Sequence, residues 1–445
     1  MHKPTRSAAP PSLDLAGARK ALATAVETYE CKVVTPIYGG GVVAGQVDSR
    51  MPIRATAIRG QLRFFWRLAH AALFNADGKL DSVAMFAAER AIFGGLGGAD
   101  DLAASKVFVR VRRTSRVSPK AAANYPKDRD GNFKTYPNWE SWAGGRVGAY
   151  ALFPAQGKAQ RSGIETPPAL LALPGLTFDL EIGMDGLAEE QREQVRTALR
   201  WWASFGSTGA RGRRGLSAVH IRDCRPVDAA EARSAGCTLV LQNQAGSDPF
   251  RAWERALDAL QRFRQGKGIG RNPGNEPNRP GRSRWPEPDA IRRIVGKNMA
   301  KHKPEHAAGN VFPRAYFGLP IIFHFKDEKA GDPQQSTLKF RDAERLASPV
   351  IVRPYWNGQA WAPAALQLPL RDVHAQMKQL VLDVKGHSHG VEAWPGPEHK
   401  DRRVELAAKT PPVHRIFQGR AQSPSPYEAF LNFFINPGKY EDSEN

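Results

Sequence analysis

The sequence predicts an α+β protein that contains two ferredoxin-like, RRM-like domains in tandem, with long loop insertions. A chain of 445 residues is longer than one ordinary hydrophobic core, so two or more domains are expected. Over the first half, apolar residues repeat at periods of 2 and 3.6 in the order β, α, β, β, α, β, which is that of the ferredoxin-like fold. The second half has a strand, a helix, several strands and a final helix, which suggest a decorated copy of the same unit.

The first domain is expected over residues 26–226, after a flexible tail at 1–25. Alternating apolar residues in ETYECKVVTP predict a strand, and the apolar spacing in IRGQLRFFWRLAHAALF predicts a helix. KVFVRVRR and LTFDLEIG predict two further strands, separated by a polar insertion at about 114–148. The helix EEQREQVRTALRWWASF and the strand LSAVHIRD complete the unit.

The second domain is expected over residues 227–438, followed by a short tail at 439–445. CTLVLQ predicts a strand and DPFRAWERALDALQRFR a helix. LPIIFHFK, SPVIVRPYW and KQLVLDVK predict further strands, and PYEAFLNFFI predicts a terminal helix. Between them, QGKGIGRNPGNEPNRPGRSRWPEPDA is rich in Gly, Pro, Asn and Arg, which predicts irregular structure.

The charge balance indicates which partners the chain has. Lysine and arginine number 64 against 44 acidic residues, a net charge of +20, which favours nucleic acid as a partner. No apolar run is long enough to span a membrane, and the N-terminal residues lack the apolar region of a secretory signal, so no membrane partner is expected. The three cysteines form no CxxC pair, which is typical of a reducing, cytoplasmic location. We expect no metal site and no cofactor.

The segment GSTGARGRRG, residues 206–215, combines backbone freedom with positive charge. Glycine permits close approach of a ligand to the backbone, and arginine presents a planar fork of donors suited to phosphate. The loop closes a helix instead of opening one and lacks the lysine of a Walker A motif. The alternative is a solvated basic turn. The candidate RNA-binding residues here are Gly209, Arg211, Gly212, Arg213, Arg214 and Gly215.

Two further basic segments are candidates. Arg59, Arg63 and Arg67 form a stripe at helical spacing with no interleaved acid, just after a loop that contains Arg50 and Arg54. RPGRSRWPEPDAIRR joins Arg282 and Arg284 to Trp285, predicted to be exposed, a combination typical of single-strand binding. The alternatives are surface ion pairs for the stripe and a core position for the tryptophan.

Catalytic patterns are weaker than the basic ones. FGGLGGADD is similar to the aspartate hairpin of polymerase and cyclase palms, but it follows a helix with no strand running into it, which favours a loop for Asp100 and Asp101. Asp48 stands alone in a glycine-containing loop, where a capping role is expected. GHSHG offers too few ligands for a metal.

Several segments together resemble one known family. TPIYGGG, RATAIRGQLRFFWR, ERAIFGG, the GARGRRG loop, GRSRWPE and RLASPVIVRP are similar to subunit one of the Cmr complex, the type III-B CRISPR effector, within the RAMP superfamily. The resemblance runs from about residue 28 to 435. IRGQLRFFWR combined with the later glycine loop is its most specific part.

This resemblance implies a fold and a function. It implies two ferredoxin-like domains and a non-catalytic, RNA-binding subunit of an antiviral defence ribonucleoprotein, near the guide RNA 3′ end and in contact with target RNA and other RAMP subunits. The family's phosphate-contacting positions map onto Arg54, Arg59, Arg63 and Arg67, and onto Arg211 to Arg214. The runner-up hypothesis is a metal-independent RAMP ribonuclease with His70 or His220 as general base.

Overall fold

A four-stranded antiparallel sheet forms the centre of the first unit. The computed structural model describes residues 26–440 except 77–78, 99–100, 138–144, 161–162, 275–280, 298–305, 326–330, 344, 371–372 and 419–421. The strands run in the order β4-β1-β3-β2, which is the ferredoxin-like order. The elements are β1 (Val26–Val33), α1 (Ala55–His70), β2 (Phe108–Arg112), β3 (Thr177–Gly183), α2 (Glu189–Phe205) and β4 (Val219–Ile221).

Both helices of this unit lie on one face of the sheet. Alternation along β1 sends Cys31 and Val33 to that face and leaves Glu30 and Lys32 exposed. The apolar stripe of each helix packs into the same core as the inward residues of the strands. The buried helical residues are Ile58, Leu62, Phe65 and Trp66 in α1 and Val195, Ala198, Leu199, Trp201, Trp202 and Phe205 in α2.

The second unit repeats the first five elements of this arrangement, in the order β, α, β, β, α. Its sheet has the order β5-β7-β6, which equals the order of the first, third and second strands of the ferredoxin-like fold. Among the described residues no fourth strand pairs with it. The elements are β5 (Thr238–Leu241), α3 (Pro249–Gln265), β6 (Val350–Trp356), β7 (Trp361–Gln367) and α4 (Pro426–Ile435). The fold class of tandem ferredoxin-like units is confirmed, and the domain boundary at residues 226/227 stays a prediction.

Helix starts in the second unit follow from local chemistry. Asp248 caps α3 by accepting a hydrogen bond from the Phe250 amide, and Pro249 occupies the first turn. Ser425 caps α4 in the same way and is also followed by a proline. These caps explain why both helices begin within one residue of where the sequence predicts.

The central strand β7 is not predicted from the sequence. Its residues WAPAALQ contain Pro363, and proline is rare inside a central strand because it lacks an amide donor. In the structure Pro363 lies directly opposite Pro354 of β6. The Pro363 carbonyl accepts from the Gln242 amide at 3.0 Å, so the side of Pro363 that lacks a donor faces the end of β5 and not β6.

Insertions decorate both units. In the first unit they contain the helices Ser82–Phe93, Gly145–Leu152 and Ala229–Ser234, and the strands Ile37–Tyr38, Asn75–Ala76, Lys79–Leu80, Gly95–Gly98, Asp101–Ala103, Lys120–Ala121, Ala123–Asn124, Tyr136–Pro137, Lys158–Gln160, Gly163–Thr166 and Leu170–Ala172. In the second unit they contain a four-stranded sheet formed by Ile321–Phe323, Ser336–Phe340, Leu380–Val384 and His387–Gly390. They also contain the helices Glu287–Val295, Val373–Gln376, Lys400–Ala408 and Pro411–Phe417.

The two units share buried surface. One face of the second sheet packs on α3 and α4, whereas Ile351, Tyr355 and Leu366 on the other face join the core of the first unit. The rings of Phe205 and Tyr355 stack with centroids 5.8 Å apart. The sheet of the second unit is therefore enclosed between α2 and its own helices. The loop that leaves α2 at Phe205 consequently begins at the junction of the two units.

Candidate nucleic-acid interface

The glycine loop is an ordered part of the junction between the units. It leaves α2 at Gly206, makes one short helical turn at Gly212–Arg214 and ends at Gly215. Hydrogen bonds to the loop backbone hold both of its sides: the Ala210 amide donates to the Tyr38 carbonyl at 2.7 Å, and the Thr35 hydroxyl donates to the Gly215 carbonyl at 2.7 Å. The loop is thus a rigid structure and not a freely solvated turn.

Steric crowding explains two of its glycines. A Cβ at Gly212 would lie 2.2 Å from the Ser207 Oγ, and a Cβ at Gly215 would lie 2.6 Å from the Trp253 ring. Gly215 also has a positive φ of 72°. Arg211, a residue with a side chain, takes a positive φ of 59°, whereas Gly212 does not. The requirement for glycine at position 212 is therefore space and not backbone rotation.

A buried arginine of the second unit holds the start of the loop. Arg353, on β6, is 2% exposed and donates to the Gly206 carbonyl at 2.7 Å and to the Ala203 and Val219 carbonyls, both at 3.2 Å. Two of these acceptors belong to the C-terminal end of α2, whose negative dipole favours a cation. No carboxylate pairs with Arg353 in the described part of the chain, and burial lowers the pKa of Arg353 to about 9.

Other residues of the second unit also contact the loop. The Trp253 indole donates to the Arg214 carbonyl at 2.8 Å, and the Arg213 guanidinium donates to the Ser348 carbonyl. Arg213 is therefore partly structural.

A cavity of about 740 Å³ lies between the loop, α1 and the second unit. Within the described residues no acidic side chain lines it. Five arginines do: Arg211, Arg213, Arg214, Arg264 and Arg345. Three buried nitrogens of these cavity arginines have no hydrogen-bond partner in the described structure, namely Arg211 Nε, Arg214 Nη1 and Arg264 Nε. Together these side chains form the basic cavity, a site with unsatisfied donors and excess positive charge.

Burial shifts the pKa values of groups around the basic cavity. Desolvation lowers the pKa of Arg214 to about 10 and also lowers the pKa values of Arg211 and Arg213. Arg264 Nη1 donates to the Tyr150 hydroxyl at 3.2 Å. Burial raises the pKa of Tyr150, but the guanidiniums of Arg264 and Arg214 outweigh burial and hold that pKa below its ordinary value. At neutral pH the arginines remain charged and attract an anion.

Two arginines of the basic stripe on α1 pair with one carboxylate from another helix. Arg63 Nε lies 2.5 Å from the Oε1 atom of Glu89, and Arg67 Nη1 lies 3.1 Å from its Oε2 atom. Glu89 is completely buried on the helix Ser82–Phe93, and Arg59 donates to the Phe93 carbonyl on that helix. The interpretation of the stripe as free of acid is therefore wrong for the folded protein. Glu89 stands in ERAIFGG, where its role had no signal in the sequence.

Trp285 is buried, contrary to the prediction of an exposed ring. It is 0% exposed, and its indole donates to the Arg264 carbonyl at 3.1 Å. Arg282 pairs with Asp289, and Arg284 donates to the Gly268 carbonyl. A ring in this position cannot stack on a base, so Trp285 is not a base-stacking residue. It instead supports the backbone of Arg264 and hence one wall of the basic cavity.

The open face of the first sheet also differs from an RNA-recognition platform, which stacks bases on exposed aromatic side chains. Glu181 lies 3.2 Å from Arg110 and 3.6 Å from Arg112, and Arg113 lies 3.4 Å from Asp179. This face is covered by ion pairs, which makes it a poor surface for stacking.

The two candidate general bases are engaged in structural contacts. The His70 Nδ1 atom lies 2.9 Å from the Trp66 carbonyl, and His220 packs edge-on against Trp356 and Trp361. Burial lowers the pKa of both histidines. Asp48 accepts hydrogen bonds from the amides of residues 50 and 51, which lower its pKa and fit the expected loop cap.

The FGGLGGADD segment forms a hairpin, whereas the sequence favoured a loop. Strands Gly95–Gly98 and Asp101–Ala103 pair antiparallel after the helix. The Asp101 carboxylate forms an ion pair with Arg90, and Asp100 lies outside the described residues. No group of His, Cys, Asp and Glu in the described chain is arranged to hold a metal ion. No described helix is long and apolar enough to cross a membrane.

The basic cavity brings together only part of the predicted set. Gly209, Arg211, Gly212, Arg213 and Arg214 line it, and Gly215 closes the loop beside it. The structure places the remaining predicted residues elsewhere: Arg50, Arg54, Arg59, Arg63, Arg67, Arg282, Arg284 and Trp285. Two cavity arginines were not among the predicted residues: Arg264, at the end of a predicted helix, and Arg345, which stands in the RLASPVIVRP segment of the family resemblance.

Comparison with known proteins agrees with this fold. A model of the RAMP superfamily matches residues 30–220. The match extends from the first strand through the glycine loop to β4, and the predicted resemblance to the RAMP superfamily is confirmed over these residues.

Three solved structures show how similar other chains are to this protein. Cmr1 from Pyrococcus furiosus in its apo form is 14% identical, with 77% of this chain and 87% of that chain covered and a TM-score of 0.38. A chain of the type III-B Cmr-beta complex bound to cognate target RNA is 10% identical, with coverage of 82% and 96% and a TM-score of 0.39. A chain of a type IV-B CRISPR complex is 13% identical, with coverage of 44% and 89% and a TM-score of 0.26. No curated protein matches the chain.

Proposed function

We propose that this protein is a non-catalytic, RNA-binding subunit of a type III-B CRISPR ribonucleoprotein, which contacts guide or target RNA near the guide 3′ end. The observation that carries the proposal is the basic cavity, where five arginines converge without a described acid. Its partners are the two RNAs and other RAMP subunits, and its role belongs to antiviral defence.

The chemistry of the cavity favours phosphate as the bound group. Arg211, Arg214 and Arg264 each keep a buried N–H donor without a partner, and an unsatisfied buried donor costs about 1–3 kcal/mol. A phosphate offers several charged acceptor oxygens and forms strong hydrogen bonds to guanidinium groups. Bound RNA phosphate would compensate the positive charge of the cavity arginines, whereas a neutral ligand would leave that charge uncompensated.

The absence of catalysis is part of the proposal. Among the described residues, the lining of the cavity contains neither a histidine nor a carboxylate that could act as general base. His70 lies on α1 with its Nδ1 atom engaged by a backbone carbonyl. RNA held in the cavity would therefore be positioned and not cleaved.

A binding measurement with a charge-matched control tests the proposal. The full chain is titrated with a labelled single-stranded RNA at 50 and 200 mM salt, beside two triple variants that each remove three positive charges. The first combines Arg211→Ala, Arg213→Ala and Arg214→Ala. The control combines Arg116→Ala, Arg129→Ala and Arg233→Ala, which are exposed and outside the cavity lining.

We expect the cavity variant to bind RNA far more weakly than the control. Its salt slope should flatten by about one unit for each phosphate that the variant no longer binds. Equal affinities for the two variants would contradict the proposal, because net charge alone would then account for binding. Melting temperatures of both variants show whether weaker binding reflects unfolding, since Arg213 also holds the Ser348 carbonyl.

The same preparation tests the ribonuclease hypothesis. Labelled RNA incubated with the wild-type chain, with and without Mg²⁺, is expected to stay intact. Metal-independent cleavage that His70→Ala or His220→Ala abolishes would replace the binding role by the ribonuclease role.

A further inference from the structure

Apolar side chains also line the basic cavity. Half-buried Phe64 of α1 and Leu319, Ile322 and Leu346 of the second unit form this part of the lining, the apolar wall. Ile322 is 53% exposed although five arginines line the same cavity. A surface that bound only the RNA backbone would need charge along a groove and would have no use for exposed apolar side chains at this position.

We propose that the basic cavity receives one whole nucleotide of the RNA, with its phosphate on the arginines and its base against Phe64 and Ile322. This inference rests on the proposed function and specifies its ligand. The cavity volume of about 740 Å³ falls within the range of roughly 300–1,000 Å³ typical of small-molecule sites. A phosphate group alone would occupy only a small part of that space.

Contacts that hold residues of both parts of the lining support the assignment of the phosphate to the arginines and of the base to the apolar wall. Arg211 and Arg214 belong to the rigid glycine loop, which fixes their backbone through the Tyr38 and Thr35 contacts. The Phe64 ring is held by an edge-to-face contact with the buried Phe65, with centroids 5.0 Å apart. A ribose joins phosphate and base across the space between the arginines and the apolar wall. Because stacking and apolar contact accept any base, we expect little sequence preference.

Small ligands separate the contributions of the arginines and of the apolar wall. Binding of inorganic phosphate, ribose 5-phosphate, AMP and UMP to the full chain is measured by calorimetry, and each is tested as a competitor of labelled RNA. We expect AMP and UMP to bind about tenfold more tightly than ribose 5-phosphate, because stacking adds to the phosphate contacts. A four-nucleotide RNA should bind more tightly than AMP if the ligand is a residue of an RNA chain, and no better if the site takes free nucleotides, which would overturn the assignment to RNA.

Variants of the apolar wall complete the test. Phe64→Ala and Ile322→Ser should each reduce the preference for AMP over ribose 5-phosphate by several-fold, while binding of inorganic phosphate stays unchanged. Ile322 is exposed, so its variant remains informative if Phe64→Ala fails to fold. The control is Phe86→Ala, an exposed phenylalanine outside the cavity.

The outcomes distinguish this inference from the proposed function. Equal affinities for AMP and ribose 5-phosphate, with RNA binding still abolished in the arginine triple variant of the loop, would overturn the nucleotide cavity but leave phosphate-mediated RNA binding intact. Undiminished RNA binding in that triple variant would contradict both.

Discussion

The basic stripe of α1 and the glycine loop contain the same residue type, but folding treats them in opposite ways. Arg63 and Arg67 share the buried carboxylate of Glu89, brought by a neighbouring helix. Arg211 and Arg214 are half-buried in a cavity that no described acid lines, and each keeps a buried donor without a partner. A run of positive charge in a sequence therefore does not show whether that charge is available, because the neutralising group arrives from elsewhere in the chain.

The largest effect is expected from the buried arginine that holds the loop. Arg353→Met removes donors from three carbonyls at the junction of the units, and we expect the free energy of unfolding to fall by about 3–5 kcal/mol together with loss of RNA binding. Urea titration of wild type, Arg353→Met and Arg353→Lys measures this, and the lysine variant should recover only part of the loss. Wild-type stability in the methionine variant would show that the loop is held by other contacts.

Removing the carboxylate that pairs with the stripe should lower the stability of the protein without lowering its RNA affinity. Glu89→Gln leaves Arg63 and Arg67 without their carboxylate, and we expect a loss of about 2 kcal/mol because both arginines are partly exposed and regain water. RNA affinity should stay equal to or rise above that of wild type, since positive charge is released. A fall in RNA affinity without a fall in melting temperature would mean that the ion pair itself contributes to binding.

Two glycine substitutions compare the glycine loop and α1 by the space available to an added Cβ. At Gly212 an added Cβ meets Ser207, and we expect Gly212→Ala to destabilise the protein by about 1–2 kcal/mol and to weaken RNA binding. At Gly60, in the middle of α1, no atom lies within 4 Å of an added Cβ, so Gly60→Ala should stabilise by about 0.5–1 kcal/mol. Thermal unfolding of both variants is the measurement, and shifts of the same sign would remove the distinction.

The smallest effect concerns pH. Burial lowers the pKa of Arg214 to about 10, so its proton begins to leave as the pH approaches that value, whereas an ordinary arginine stays charged. We expect AMP affinity to fall a few-fold more between pH 8 and pH 10.5 in wild type than in Arg214→Met. Identical pH profiles would indicate that Arg214 keeps its proton or lies away from the phosphate.

Much of the fold follows from local pattern. The spacing of apolar residues along α1, α2 and the four strands of the first sheet predicts their order because each helix or strand must bury one side. The strand β7 escaped prediction because Pro363 is unfavourable inside a strand, and only the structure places its missing donor at the end of β5. The glycine loop could be proposed as a candidate site from its own residues. Arg264 and Arg345 could not, because they stand in distant segments of the chain and only folding brings them to the loop.

The sequence by itself determined the order of helices and strands in the first unit, the net charge of +20 and the glycine loop. Only the tertiary structure decided which arginines are neutralised, that Trp285 supports Arg264 from within the core, and that the loop meets a second unit around a cavity. The physical reason is how far apart in the chain the interacting residues are. Periodicity and composition act between residues close in the chain, whereas burial and ion pairing depend on groups that only the folded chain brings within a few ångströms.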